Sequence, residues 1–269
     1  MIEVSGVKVP LARLDGTDDT ETRVVRGALL HKLRLPSSDI TSVELRRRSI
    51  DARKRDAIQL TYTVRAELTG GAKAETALIS HLASRHADGG VSRVTETPFS
   101  LPVLSGPRPA ERPVVVGAGC AGLFCALALA RAGLEPLLVE RGDDAARRTR
   151  VVALHNETGV LDPESNIQFG VGGAGTFSDG KLQTGTKSDS HRLILETFVA
   201  AGAHPQILWD ARPHLGSDVL PGVVTRIVGM IEEEGGEVRC RCRLTDIDVT
   251  GGRVRSVTLE SRDDEGHPR

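Results

Sequence analysis

The sequence predicts an α/β protein in two parts, an α+β domain on an antiparallel sheet and then a doubly wound domain on a parallel sheet. Three observations support this prediction: the order of strand and helix patterns in the first hundred residues, a proline-rich stretch after them, and a short apolar run followed by closely spaced glycines. The chain has 269 residues, 39% of them hydrophobic, which is enough for two ordinary domains with packed cores.

Residues 1–104 are predicted to form the first domain. Strand-like alternation and helical spacing follow one another there in the order β-α-β-β-α-β. This order is that of the ferredoxin-like split βαβ plan. The predicted elements are Ile2–Leu11, Asp19–Leu33, Ile40–Ile50, Ile58–Leu68, Lys73–His86 and Val91–Thr95.

A linker is predicted over residues 99–113, which contain four prolines and a Ser-Gly pair. We place the domain boundary near residue 105, so that residues 105–269 form the second domain. Beyond the linker the period of the apolar residues changes, beginning with the wholly apolar run Val114–Val116.

The second domain is predicted to begin as a Rossmann-like βαβ unit. The β-branched run Val114–Val116 is expected to be a strand buried on both faces, followed by a helix and a second parallel strand. Residues 143–170 are predicted to be rich in loops. The other predicted elements are helices Ala121–Ala132, His191–Ala201 and Val219–Glu234, strands Leu137–Val139 and Glu237–Arg241, and a hairpin of Leu244–Val249 with Val254–Leu259.

A glycine-rich turn connects the first strand of this unit to its helix. Gly117 permits a tight turn, Gly119 removes a side chain where a diphosphate would approach the backbone, and Gly122 lets the helix pack close to the strand. Cys120 and Ala121 open the helix, whose free N–H groups and partial positive charge suit an anion. The context, a strand before the turn and a helix after it, makes a chance arrangement improbable.

Glu140 stands at the end of the second parallel strand, 18 residues after Gly122. A carboxylate there accepts hydrogen bonds from ribose hydroxyls and repels a 2′-phosphate. The bound nucleotide is therefore expected to be of the FAD or NAD type.

Residues 166–181 form a second informative stretch, with five glycines in the eleven residues 170–180. Such a run provides backbone N–H groups that can hold anions or the edge of a flavin. A flexible surface loop is the alternative, but Phe169 and Phe177 are unusual in flexible linkers. The candidate cofactor contacts in this stretch are Gly173, Ala174, Gly175 and Thr176.

Three segments together resemble one group of bacterial flavoproteins, the FAD-dependent dehydrogenases of glutathione-reductase type whose function is uncharacterised. They are Ser49–Lys54, Leu161–Lys181 and Pro213–Asp218, in addition to the glycine turn. The resemblance implies FAD as cofactor, an oxidoreductase activity on a small molecule, and NAD(P)H as an electron donor to consider. Val171 departs from the acidic residue expected between the two glycines.

The resemblance also implies arginines near the phosphates or the ribose, for which Arg141, Arg147, Arg148 and Arg150 are candidates, and a solvated surface arginine is the alternative for each. Leu244 completes the candidate cofactor contacts. No catalytic residue carries over from the group. His214 and Asp218 are considered as proton shuttles or as structural groups, and Asp179 and Lys181 as substrate-orienting groups or as a local pair.

Members of that group extend well beyond residue 269, so the chain is expected to be a C-terminally truncated flavoprotein. A nucleotide-binding or interaction fragment without catalysis is the alternative function. An RNA-associated flavoprotein is a third hypothesis, because Arg46, Arg47 and Arg48 form a basic cluster with residues 53–55. A solvated strand end explains the cluster more simply.

Composition narrows the remaining possibilities. A net charge of −1 disfavours nucleic acid as the main partner, and no signal peptide or apolar span of membrane length is present. A cytoplasmic location without a membrane partner is expected, and the oligomeric state stays open. The sequence contains four cysteines, which are interpreted as small buried apolar residues with reduced thiols: Cys120, Cys125, Cys240 and Cys242. On a strand, Cys240 and Cys242 would share one face. No metal site is predicted.

Overall fold

The computed structural model describes residues 1–84, 90–94, 99–102, 104–182, 188 and 190–263. The chain divides into two compact units. Unit 1 comprises Met1–Pro98 and Gln206–Pro213, and unit 2 comprises Phe99–Pro205 and His214–Arg269. No helix in the described ranges combines the length and the apolar composition needed to cross a membrane.

Unit 1 contains a four-stranded sheet with two helices. Its strands lie in the order β4-β1-β3-β2, and each neighbouring pair is antiparallel. The ends predicted at residues 85–86 and 95 lie outside the described residues. The elements are β1 (Ile2–Pro10), α1 (Asp18–Leu33), β2 (Ile40–Asp51), β3 (Gln59–Leu68), α2 (Gly71–Ser84) and β4 (Val91–Arg93).

Helical spacing of apolar residues places one face of α1 on the core of unit 1. Val25, Leu29 and Leu33 lie at intervals of four, and all three are buried. The hydroxyl of Thr17 accepts a hydrogen bond from the N–H of Thr20 and caps the helix start.

The segment Gln206–Pro213 belongs to unit 1 although it lies far along the chain from the rest of that unit. Trp209 packs against the core of unit 1. The N–H of Arg48 donates to the carbonyl of Trp209, and the N–H of Ala211 donates to the carbonyl of Arg48. The sequence-based division into residues 1–104 and 105–269 did not include this insertion, and the domain boundary itself stays a prediction.

Unit 2 contains a parallel sheet in the order β5-β6-β7 and a separate hairpin of β8 with β9. The prediction that β5 is buried on both faces is wrong for Val114 and Val116, which are 38% and 53% exposed because the face that they share borders an open groove. Strand β6 is buried throughout. The elements are β5 (Val114–Val116), α3 (Cys120–Arg131), β6 (Leu137–Val139), α4 (Ala145–Thr158), α5 (Ser190–Ala200), α6 (Leu220–Glu233), β7 (Glu237–Arg239), β8 (Cys242–Thr250) and β9 (Arg253–Ser261).

Helix α4 corrects the prediction that residues 143–170 are rich in loops throughout. The carboxylate of Asp144 accepts from the N–H of Arg147 and caps the start of the helix. Gly159, with φ of 75°, ends it in the left-handed conformation that favours glycine. Both signals are present in the sequence, but three arginines between them obscure the apolar period.

The cysteines also differ from the prediction. Cys242 is buried, whereas Cys120 and Cys125 are exposed. Cys240 and Cys242 do not share one strand, because β7 ends at Arg239 and Arg241 takes a left-handed backbone with φ of 52°. All four are free thiols.

Candidate dinucleotide-binding site

The turn between β5 and α3 depends on two glycines. Gly117 has a φ of 91°, and its N–H donates to the carbonyl of Val139 over 2.7 Å. A Cβ on Gly122 would lie 1.8 Å from the carbonyl oxygen of Gly117, so no larger residue fits without moving the turn. The first strand, the turn and the helix are thereby held close together.

Gly119 has a different role in the geometry of this turn. A Cβ added there would meet no atom of the described residues within 4 Å, apart from its own chain neighbours, so the space beside it is open. Helix α3 begins at the next residue, Cys120, and the first N–H groups of a helix have no acceptor within it. The open space therefore faces unpaired donors and the positive end of the helix dipole, which suits a diphosphate.

Glu140 connects three segments around this turn, and its side chain is only 6% exposed. One carboxylate oxygen accepts from the N–H of Ala118 over 2.8 Å. The other accepts from the N–H groups of Gly142 over 2.9 Å and Gly170 over 3.1 Å. Since a carboxylate offers about four acceptor positions, these three bonds leave capacity for a further donor.

The glycine-rich stretch lies directly against the turn. The N–H of Gly172 donates to the carbonyl of Ala118 over 2.8 Å. A Cβ on Gly173 would lie 3.3 Å from the Cα of Gly119, so the two backbones pass close to each other. The structure thus brings together the turn, Glu140 and the start of the predicted loop contacts.

Residues Ala174–Phe177 form one short 3-10 turn. Thr176 is 2% exposed, and its hydroxyl has no hydrogen-bond partner among the described residues. It lines a cavity of about 130 Å³ together with Cys120, Phe124, Phe198 and Val224. An unpaired buried hydroxyl beside the helix start is consistent with a site for a polar ligand atom.

Arg141 is partly exposed and has partners within the chain. Its guanidinium pairs with the carboxylate of Glu164 at 3.0 Å. The same group lies 4.5 Å above the ring of Phe169. Arg141 therefore holds one phenylalanine of the glycine-rich stretch, and a contact with cofactor stays a prediction.

Arg148 is fully buried and holds the same stretch from within. Its guanidinium donates to the backbone carbonyls of Asn166, Ile167 and Val171 over 2.8, 2.9 and 3.0 Å. It also lies 4.8 Å from the ring centre of Phe177. The structure does not present this side chain to the open space beside Gly119.

Buried charges beside the site escaped the sequence analysis. Asp143 is 1% exposed and accepts two hydrogen bonds from Arg241, whose guanidinium also pairs with Asp162 at 2.9 Å. Burial opposes ionisation of Asp162, but hydrogen bonds from the N–H of Glu164 and from Arg241 lower its pKa overall. Only the acidic pair at residues 143–144 is a signal in the sequence, and it does not identify a partner.

Leu244 lies in the hairpin, where it pairs with Leu259. It lines an apolar groove of about 980 Å³ with Val114, Val116 and Val254, and not the cavity around Thr176. The structure therefore does not bring it together with the other candidate residues.

The polar groups considered for catalysis lie at the surface. Lys181 and Asp179 form an ion pair at 2.8 Å, and this hydrogen bond lowers the pKa of Asp179. Lys181 also forms a β-bridge with His214, which is exposed, as is Asp218. The arrangement fits the local pair that the sequence left open as one alternative.

Two family models match parts of the chain. Residues 1–67 match a domain of unknown function, DUF8436. Residues 113–212 match the family described as FAD dependent oxidoreductase, and this range contains the turn, Glu140 and the glycine-rich stretch. Over residues 113–212 the chain is similar to FAD-dependent oxidoreductases, which are enzymes, and this match indicates FAD as the cofactor.

An uncharacterised protein of Clostridium beijerinckii is 36% identical over 245 residues. The match covers 91% of this chain but 44% of that protein, so the chain spans less than half of the length of this relative.

Among solved structures, L-amino acid deaminase from Proteus vulgaris is similar over 62% of this chain and 47% of its own, with 15% identity and a TM-score of 0.28. L-amino acid deaminase from Proteus myxofaciens, in complex with anthranilate, is similar over 62% and 46%, with 14% identity and a TM-score of 0.26.

Proposed function

We propose that this chain binds FAD at the turn between β5 and α3 and belongs to an FAD-dependent oxidoreductase acting on a small molecule. When bound, the flavin supplies the electron transfer, and the protein contributes binding and orientation. The residues described above would bind the adenosine diphosphate half of the cofactor.

The observation that carries this proposal is the convergence of three features in one place. Open space beside Gly119 faces the N-terminus of α3, and Glu140 lies at the adjoining strand end with acceptor capacity left. The helix start would hold the diphosphate, and Glu140 would accept from the ribose hydroxyls. A 2′-phosphate would meet this carboxylate and be repelled.

The remaining candidate contacts follow from the same placement. Gly173, Ala174, Gly175 and Thr176 would line the side of the cofactor beyond the diphosphate, with the unpaired hydroxyl of Thr176 as a polar contact. For unit 1 we propose the ferredoxin-like plan, which the strand order β4-β1-β3-β2 supports.

Titration with FAD tests the proposal. The wild-type chain should bind about one FAD, with a change in the visible flavin spectrum. Glu140→Gln should weaken binding by about tenfold or more, because one amide group would face the backbone N–H donors. Glu157→Gln, an exposed change on α4, is the matched control.

Competition separates the nucleotide types. ADP should displace FAD from the wild-type chain, whereas ADP carrying a 2′-phosphate should not. A wild-type chain that binds no FAD, or Glu140→Gln with unchanged affinity, would contradict the proposed site.

The second candidate is a nucleotide-binding fragment without catalysis. It is favoured by one observation, that the match to the FAD-dependent oxidoreductase family covers residues 113–212, the part of the chain that holds the proposed nucleotide site. An assay of FAD-dependent NAD(P)H oxidation by the FAD-loaded chain distinguishes the two. Turnover supports the oxidoreductase, whereas tight FAD binding without turnover supports the fragment.

A further inference from the structure

We propose that Arg148 is a positioning residue, whose buried guanidinium shapes the loop of residues 166–173 so that the cofactor site exists before the cofactor arrives. This inference rests on the proposed FAD site and adds a residue that acts on it without touching the ligand. It depends on how residues 166–173 surround the side chain of Arg148.

The guanidinium is enclosed by backbone carbonyls. It donates to Asn166 over 2.8 Å, Ile167 over 2.9 Å, Val171 over 3.0 Å and, more weakly, Gly170 over 3.4 Å. A planar fork with five N–H donors can satisfy several carbonyls at fixed angles, which a lysine ammonium cannot do. The path of the loop is therefore set by the shape of this group.

The opposite side of the same loop makes the site. While its carbonyls point to Arg148, the N–H of Gly170 donates to Glu140, that of Val171 to Asp143 and that of Gly172 to Ala118. The first of these bonds orients the carboxylate proposed to bind the ribose. The last fixes the loop beside the turn proposed to bind the diphosphate.

The loop and the guanidinium fit each other closely. A Cβ on Gly170, which has a φ of 122°, would lie 2.5 Å from the Cδ of Arg148. Phe177 stacks on the guanidinium at 4.8 Å and extends its contacts into the second half of the glycine-rich stretch. A side chain that only filled space would not need a glycine opposite it or an aromatic ring stacked on its guanidinium.

A structural ion pair does not explain the burial of Arg148. It forms no ion pair with any residue in the described part of the chain. Burial lowers the pKa of Arg148 to about 10, while the carboxylate of Glu140 nearby acts in the opposite direction. A buried cation held by backbone carbonyls and an aromatic ring, without an ion pair, is costly to keep out of water, and this is consistent with bonds to the loop that serve the site.

The test compares Arg148→Ala and Arg148→Lys with Arg150→Ala, an exposed change on the same helix. Two quantities are measured: FAD affinity, and hydrogen exchange of the N–H groups of Gly170, Val171 and Gly172 without FAD. Both Arg148 variants should lose exchange protection of these amides and about tenfold or more in FAD affinity. Arg150→Ala should leave both unchanged.

Chemical rescue separates positioning from general stability. Millimolar ethylguanidinium should restore FAD affinity and amide protection to Arg148→Ala, because it presents the same planar donors to the carbonyls. Ethylammonium at the same concentration should not.

Four results would overturn the inference: FAD affinity unchanged in both variants, equal rescue by the two cations, no rescue by either, or global unfolding of Arg148→Ala. A wild-type chain that binds no FAD contradicts the proposed function instead, and the amide protection then still reports whether Arg148 orders the loop.

Discussion

Each unit has an arginine with several partners inside that unit, the half-buried Arg48 in unit 1 and the fully buried Arg148 in unit 2, and the two have opposite kinds of partner. In unit 1, Arg48 pairs with the carboxylates of Glu21 and Asp210 at 2.9 and 2.7 Å. In unit 2, Arg148 is surrounded by backbone carbonyls. Burial works to lower the pKa of both, but hydrogen bonds to Asp210 and Glu21 raise that of Arg48, whereas that of Arg148 falls to about 10.

The difference teaches what each side chain does for its unit. Arg48 neutralises charges from distant segments and ties helix α1 and the inserted segment Gln206–Pro213 to strand β2. Its partners also include Gln206, and Tyr62 donates to the same Glu21 carboxylate over 2.6 Å. Arg148 instead sets the shape of one loop. Substituting it should therefore disturb that loop more than it lowers the stability of the whole unit.

Arg48→Met should have the largest effect. It leaves the buried carboxylate of Glu21 without its cation, a change that costs about 3 kcal/mol or more in the free energy of unfolding. Urea unfolding of the full chain measures it. Arg47→Met, at an exposed neighbouring position, should change stability by about 0.5 kcal/mol or less. A loss for Arg48→Met as small as that of the control would contradict the comparison.

Arg148→Met should destabilise less than Arg48→Met. Its carbonyl partners lose their donor, at about 1–3 kcal/mol for a group that stays buried, but the loop can open and hydrate them. We expect a loss of about 1 kcal/mol, or a fall of about 2–4 °C in Tm, measured without FAD. A loss of unfolding free energy equal to that of Arg48→Met would contradict the comparison, because both arginines would then stabilise their units to the same extent.

Tyr62→Phe tests the weaker partner of the Glu21 network. It removes one hydrogen bond to a buried carboxylate without changing the packed ring, so we expect a loss of about 1 kcal/mol. Combined with Arg48→Met, it should deviate from additivity, because both residues bind the same carboxylate. Strict additivity in urea unfolding would argue against one network.

The smallest effect should come from an exposed charge, Asp15, whose carboxylate accepts from the N–H and hydroxyl of Thr17. These bonds lower its pKa from 3.8 to about 2. Its stabilising contribution is therefore fully present above pH 3.8 and is lost as the pH falls through about 2. The difference in Tm between wild type and Asp15→Asn should shrink over that range, and a constant difference would refute this reading.

How much could be predicted from the sequence depends on how local the signals are. Apolar periods such as Val25, Leu29 and Leu33 predict α1 and its buried face, and the spacing of glycines predicts the turn before α3. Helix α4 was missed because its caps, Asp144 and Gly159, flank a polar sequence. A helix with few apolar residues shows only a weak apolar period in the sequence.

Long-range contacts are the part that could not be predicted. The bond of Arg48 with Asp210 joins positions 162 residues apart, and neither residue indicates its partner. The acceptors around Arg148 are backbone carbonyls, which every residue has, so no side-chain pattern marks them. The resemblance to flavoproteins makes Arg148 a candidate for a place near the phosphates, but nothing in the sequence indicates that its donors face the carbonyls of the loop.

FAD titration of Gly119→Ala tests the central claim most directly. Within the part of the chain that the structure describes, a Cβ at this position meets no atom within 4 Å beyond its chain neighbours, so the variant should keep the wild-type Tm in the absence of FAD. The added methyl group would occupy the space proposed for the diphosphate, and FAD affinity should fall by about tenfold or more. Wild-type affinity in a fully folded Gly119→Ala chain would show that the cofactor does not bind at this turn.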